Sequence, residues 1–173
     1  MNQQPVIRTY QPSDKTACMN AFQTNVPKFF TYGEVGDFER FLDRLADPAE
    51  LNQTPYYVLE LNNELIGCGG FMEKEGIDGK SAVTFTWGLV HRDFHKQGYG
   101  EELLQFRIKE IKTRFPAKQV ILDTTQFSYT FFEKYGFKTV KFTENGYEEG
   151  MHRYDMVLDG SSSEKFKTKN LNI

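Results

Sequence analysis

Cysteine is nearly absent from this chain: only Cys18 and Cys68 occur. They lie in regular-looking segments without metal-type spacing, so neither a disulfide framework nor a cysteine zinc site is expected. Two buried thiols in a reducing, cytoplasmic compartment is the reading they support. Histidine is equally scarce. His91, His95 and His152 show no ligand spacing, and no metal is expected. No apolar run approaches the roughly 18 residues of a membrane span. The polar start, Met1-Asn2-Gln3-Gln4-Pro5, has none of the character of a signal peptide. Nor is there an excess of one charge: 21 Lys and Arg against 24 Asp and Glu leave a net charge of −3. Bulk charge therefore argues for neither a nucleic-acid partner nor an anionic membrane surface.

What the chain does have is rings. There are 16 Phe and 9 Tyr among 173 residues, enough to build a core and a pocket from aromatic side chains. The length suits one domain. With no repeats and no linker, residues 1–159 read as that domain, and 160–173, with Ser161-Ser162-Ser163, as a polar tail. Val6–Tyr10 reads as a strand and Asp14–Thr24 as a helix after the Pro12-Ser13 stop. A ring-rich loop, Val26–Gly36, follows. Thr31 and Glu34 have capping-box spacing there, but two glycines disfavour a helix, and Asp37 is the better cap for the next one. Its apolar face is Phe38, Phe41, Leu42 and Leu45, and Asp47-Pro48 ends it.

Strands are expected at Tyr56–Leu61, Leu65–Glu73 and Val83–Leu89. The last carries Val83, Phe85, Trp87 and Leu89 on one face, with a bulge at Gly88. A helix over Glu101–Phe115 has the stripe Leu104, Ile108, Ile111 and Phe115. Then come a strand at Gln119–Asp123, a short helix at Ser128–Tyr135 closed by Gly136, and strands at Phe137–Thr143 and His152–Leu158.

The segment Val90–Gly100 joins a strand to the long helix. Unpaired amides at a helix start, aided by the helix dipole, favour an anion. Gly98 and Gly100 allow close backbone approach, and His95 and Lys96 add basic side chains. The pattern is not a dinucleotide Gly-x-Gly-x-x-Gly, which fails at Leu103, nor a Walker A loop, since no Gly-Lys-Ser/Thr follows. A ligand with phosphates is expected here.

The element order and two motifs resemble the GNAT superfamily of acetyl-coenzyme A-dependent N-acetyltransferases, over nearly the whole domain. The first motif is the phosphate-binding pattern Gln/Arg-x-x-Gly-x-Gly/Ala, matched by His95-Lys96-Gln97-Gly98-Tyr99-Gly100. The second is an aromatic pair ahead of Gly-Phe, here Phe131-Phe132-Glu133-Lys134-Tyr135-Gly136-Phe137. The resemblance implies an α/β fold with a mixed, mostly antiparallel, twisted sheet of about seven strands, splayed after the fourth and flanked by about four helices. It implies acetyl-coenzyme A in the opening, its pantetheine along the backbone of Leu89 and Val90. The pyrophosphate would meet His95, Lys96, Gln97, Gly98, Tyr99, Gly100 and Glu101, with Thr125, Ser128 and Phe131 as further contacts. The implied activity is transfer of acetyl from acetyl-coenzyme A to a primary amine of a small molecule or peptide. The alternative is a non-catalytic acyl-coenzyme A sensor on the same fold. The implied partners are acetyl-coenzyme A and an amine acceptor, with no nucleic acid and no membrane; a homodimer stays open.

Three departures from the family pattern bear on mechanism. His95 stands for Gln or Arg, which would make that phosphate contact pH-dependent. Thr125 and Ser128 stand for Asn and Ala. Phe132 occupies the place of the tyrosine that often protonates the leaving thiolate. Tyr129, one helical turn earlier, is the substitute, with Tyr135 next. An alkyl amine, with a pKa of about 10.4, must lose a proton before it attacks. The resemblance makes the Val90 amide the oxyanion donor. No carboxylate stands on Ala82–Leu89, so Glu34 is the candidate base, with Glu73 or a water chain as alternatives. The acidic, ring-rich stretch Val26–Phe41 suits a cationic amine, although Phe29, Phe30 and Phe38 equally suit a core.

Overall fold

The computed structural model describes residues 4–158; the expected tail over 160–173 lies outside them. Among the described residues seven strands and five α-helices follow one another, in the α/β class expected. In chain order they are β1 (Val6–Thr9), α1 (Lys15–Gln23), α2 (Glu34–Arg44), α3 (Pro48–Gln53), β2 (Tyr56–Leu61), β3 (Glu64–Glu75), β4 (Ser81–Val90), α4 (Tyr99–Arg114), β5 (Gln119–Thr124), α5 (Tyr129–Glu133), β6 (Phe137–Glu148) and β7 (Met151–Leu158). The chain packs as two compact units divided between Lys118 and Gln119.

In the first unit β1, β2, β3 and β4 pair antiparallel in that order. Helices α1 and α2 cover one face. Phe22, Phe38 and Leu42 are buried there with Tyr56, Val58 and Leu89 of the strands. Helix α4 covers the other face, with the Phe106 ring 4.8 Å from Tyr57 and the Arg107 guanidinium 4.4 Å over Phe85. In the second unit β5 pairs with β7 and β7 with β6, all antiparallel. Leu122, Phe137 and Met156 form its buried centre.

Helix α2 begins earlier than its glycines suggested. The Glu34 N–H donates to Thr31 Oγ1 at 3.3 Å, and the Thr31 N–H donates to Glu34 Oε2 at 2.7 Å. Two helix-start amides satisfied reciprocally outweigh the cost of Gly33 and Gly36. Asp37 is not the cap; it lies inside the helix, paired with Arg40. Asp47-Pro48 does more than end α2. Asp47 Oδ1 accepts from the Ala49 N–H at 2.9 Å and Pro48 takes the first helical position, so the pair starts α3, a helix the sequence reading passed over.

The bulge expected at Gly88 is present and reorganises β4. Thr86 pairs with Gly70 and Leu89 with Cys68, so Trp87 and Gly88 together face Gly69. Trp87, not glycine, adopts the positive φ, at 37°. One extra residue reverses the alternation. Phe85 lies under Arg107 of α4, whereas the Trp87 ring is 5.3 Å from Phe38 and 5.9 Å from Phe22 on the α1–α2 face. The expected single face of Val83, Phe85, Trp87 and Leu89 is therefore split.

Candidate active site

The bulge is held from both sides. On one face Tyr56, a fully buried ring, donates its hydroxyl to the Trp87 carbonyl at 2.8 Å. Burial pushes that phenol well above its ordinary range, so it remains a donor. On the other face Arg107 fills the space that Gly69 and Gly88 leave empty. A Cβ at Gly88 would lie 2.7 Å from Arg107 Nη1, and one at Gly69 3.0 Å from the same atom. The guanidinium donates to the carbonyls of Leu103, at 3.3 Å, and Gly70, at 3.4 Å. No carboxylate pairs with it among the described residues. Burial lowers it to about 10, so it is still a cation at neutral pH. The sequence reading missed Arg107, although it stands on the apolar stripe of α4, beside Leu104 and Ile108.

Beyond the bulge, the His91 N–H donates to the Ile66 carbonyl at 2.7 Å. Antiparallel pairing alternates, so the Val90 N–H and C=O, one residue earlier, both point away from β3. This edge of Leu89–Val90 is the one a strand-like ligand would meet. The Val90 carbonyl is already engaged: Asn25 Nδ2 donates to it at 3.0 Å, and His95 Nε2 lies 2.8 Å from it.

The turn from β4 to α4 is built by local contacts. His91 Nδ1 accepts from the Asp93 N–H at 3.2 Å, and Gln97 Nε2 donates to the Asp93 carbonyl at 3.0 Å. The Phe94 ring lies 5.8 Å from His91 and 6.2 Å from Tyr99. Lys96 and Gly98 take positive φ, 60° and 91°, a pattern that makes a backbone concavity. The first intrahelical bond runs from the Glu102 N–H to the Gly98 carbonyl, 3.1 Å. The amides of Tyr99, Gly100 and Glu101 precede it, and the residue at the cap position, Gly98, has no side chain with which to cap them. A Cβ at Gly98 would meet nothing within 4 Å. The backbone there faces open space. Burial first, and then Glu101, push the Glu102 carboxyl up.

Other candidate residues have identified neighbours. The Glu34 carboxylate caps α2 through Thr31, and Glu34 is half-buried. Glu73 sits at the far end of β3, opposite Val83, and pairs with Lys118. Six steps along β3 lead from Glu73, opposite Val83, to Gly67, opposite Val90, roughly 20 Å of strand, so Glu73 is remote from the Val90 edge. Phe38 is fully buried core, Phe30 packs against that core, and Phe29 sets its ring 5.4 Å from His95.

In the second unit Thr125 is buried. Its carbonyl accepts from the Ser128 and Tyr129 N–H groups, each at 3.1 Å, and its Oγ1 accepts from the Phe127 N–H at 3.3 Å. Ser128 precedes α5, and its carbonyl accepts from the Phe131 N–H at 3.1 Å. The Tyr129 ring stacks on Tyr154, centroids 4.1 Å apart and planes 2° from parallel. Phe131 contacts Phe132 and Tyr135, both at 5.1 Å, and Phe132 sits 5.8 Å from Phe137.

Residues 29–159 match the family described as Acetyltransferase (GNAT) domain. The chain belongs to the GNAT family. As a GNAT protein it is an acyltransferase, and acetyl transfer is the chemistry its membership indicates. Solved structures share the fold. A GNAT-family protein from Desulfovibrio desulfuricans has a TM-score of 0.74 and 15% identity, over 90% of this chain and 99% of that one. The ribosomal-protein-S18-alanine N-acetyltransferase from Escherichia coli has a TM-score of 0.68 and 17% identity, over 90% and 93%. An aminoglycoside 6'-N-acetyltransferase complexed with coenzyme A has a TM-score of 0.67 and 16% identity, over 88% and 95%. No curated protein matches this GNAT chain by sequence. Among the described residues, no helix is long and apolar enough to cross a membrane, and no group of three or more His, Cys, Asp or Glu could hold a metal ion.

Proposed function

We propose that this GNAT protein transfers the acetyl group of acetyl-coenzyme A to a primary amine on a small molecule or a peptide. The uncapped start of α4 carries the reading. Three amides precede the first helical bond, and Gly98 offers them open space, which suits a pyrophosphate. Leu89 and Val90 offer the pantetheine a strand edge, and the Val90 N–H is the proposed donor to the thioester oxygen as negative charge develops there. Lys96 to Glu101 are proposed around the phosphates, with the His95 side chain turned to the Val90 carbonyl, and Thr125, Ser128 and Phe131 as further coenzyme A contacts. The amine proton is proposed to pass to Glu34 or to water. Tyr129 is proposed to return a proton to the departing thiolate, because Phe132 has none to give. Both acceptor classes occur among structural relatives: an alanine of a ribosomal protein and an aminoglycoside.

One observation favours a second reading. Phe132, at the position where the family resemblance expects a tyrosine hydroxyl, packs on Phe131 and Phe137 and carries none, which suits a binding module without turnover. The deciding experiment is free-thiol release from acetyl-coenzyme A across a panel of amines, with ligand binding measured in parallel. Binding with turnover supports transfer, binding without turnover supports the sensor, and absence of both removes each.

A further inference from the structure

The Val90 carbonyl is held by two side chains from outside its strand. Asn25 is buried, 2% exposed, at the end of α1, and its Nδ2 donates to Val90 O at 3.0 Å and to Ala21 O at 3.1 Å. His95 Nε2 is 2.8 Å from the same oxygen. A carbonyl only accepts, so the proton between them is on Nε2. The holders are themselves fixed. The Asn25 carbonyl accepts from the Phe29 N–H at 2.8 Å, and the Phe29 ring meets His95 in a T-shaped contact. Thr24, beside Asn25, accepts from the Arg92 N–H at 3.0 Å. The end of α1 thus grips the chain on both sides of His91.

One donor would satisfy this carbonyl; two occupy both of its lone pairs and fix its direction. An extended ligand alongside Val90 would then find its N–H and not its C=O. We propose that Asn25 and His95 are positioning residues: by holding the Val90 carbonyl they fix the backbone torsions of Val90, so that the N–H on the Leu89 side of the same residue stays aimed at the thioester oxygen. His95 accordingly acts inward on the backbone, not outward on phosphate. The inference rests on the acetyl-transfer reading and on Val90 as the oxyanion donor.

The test is the infrared stretch of the labelled carbonyl of [1-13C]acetyl-coenzyme A, free and bound, in the wild type, Asn25→Ala, His95→Leu and His95→Gln. The wild type should shift the stretch to lower frequency, as a polarised carbonyl requires. Asn25→Ala and His95→Leu should bind acetyl-coenzyme A within about threefold of wild type, lose the shift, and lose at least about tenfold in kcat, a partial version of removing an oxyanion donor. His95→Gln keeps an N–H donor and should retain the shift. If Asn25→Ala does not fold, the two His95 variants decide. A full shift in Asn25→Ala and His95→Leu overturns the positioning role alone. A wild type that binds without any shift overturns Val90 as donor and this inference with it. A wild type that does not bind overturns the acetyl-transfer reading.

Discussion

Gly98→Asp, set beside Gly98→Asn, separates the ligand's charge from the fold's tolerance. Gly98 has φ of 91°, so any side chain there brings backbone strain, on the order of 1–2 kcal/mol. A Cβ meets nothing within 4 Å, so no clash adds to it. Asn and Asp share shape and tolerance of this conformation, so both should lower Tm by the same few degrees, about 2–4 °C per kcal/mol at this size. They differ only in charge. A carboxylate about 5 Å from a pyrophosphate carrying two charges, at an effective dielectric near 40, costs about 3 kcal/mol. Gly98→Asp should therefore bind coenzyme A about two orders of magnitude more weakly than Gly98→Asn. Calorimetry at two salt concentrations reads this directly, and the gap should narrow at higher salt. Equal affinities for the two variants would refute placement of the pyrophosphate at the α4 start.

Three other perturbations have defined outcomes. Gly70→Ala would drive a methyl into the Pro55 carbonyl and to 2.7 Å from the Tyr56 ring, so denaturant unfolding should show a loss of about 3 kcal/mol or more; near-wild-type stability would contradict the close approach of β2 and β3. Tyr129→Phe keeps the ring that stacks on Tyr154 and removes only the hydroxyl, so Tm should hold while turnover falls at least about tenfold; undiminished steady-state turnover would leave Tyr129 a packing residue. Asp14 is buried, which alone would raise its carboxyl, but hydrogen bonds from Arg8 and the Gln11 N–H outweigh burial and hold it below its ordinary 3.8. A depressed folded-state pKa means stability that is full above 3.8 and lost as pH falls through the lowered value. Acid unfolding of Asp14→Asn should lack that contribution, and a profile parallel to wild type would show the pair to be inconsequential.

Much of the scaffold was legible from residue pattern. The His95–Gly100 turn announced itself because glycines, basic residues and the switch from strand to helix period coincide. The bulge was legible at Gly88, but its consequence was not. Trp87 leaves the face of Phe85 because one inserted residue reverses the alternation, and nothing in the composition says which neighbour turns. Helix α3 was hidden because Asp-Pro serves equally to stop one helix and cap the next. Asn25 was invisible for another reason. Its partner is 65 residues away, and an amide at a helix end looks like a local cap. Arg107 did leave a trace, as a charge at the apolar spacing of α4; such a residue is buried against a gap, and Gly69 and Gly88 form that gap.

The most direct test of acetyl transfer follows the label itself. The wild-type protein is incubated with [13C2]acetyl-coenzyme A and the amine panel, and both products are quantified by mass spectrometry. Labelled N-acetyl product appearing in equal molar amount with free coenzyme A is the predicted result. Free coenzyme A released with labelled acetate and no acetylated amine, or no release with any amine despite tight binding, would contradict it.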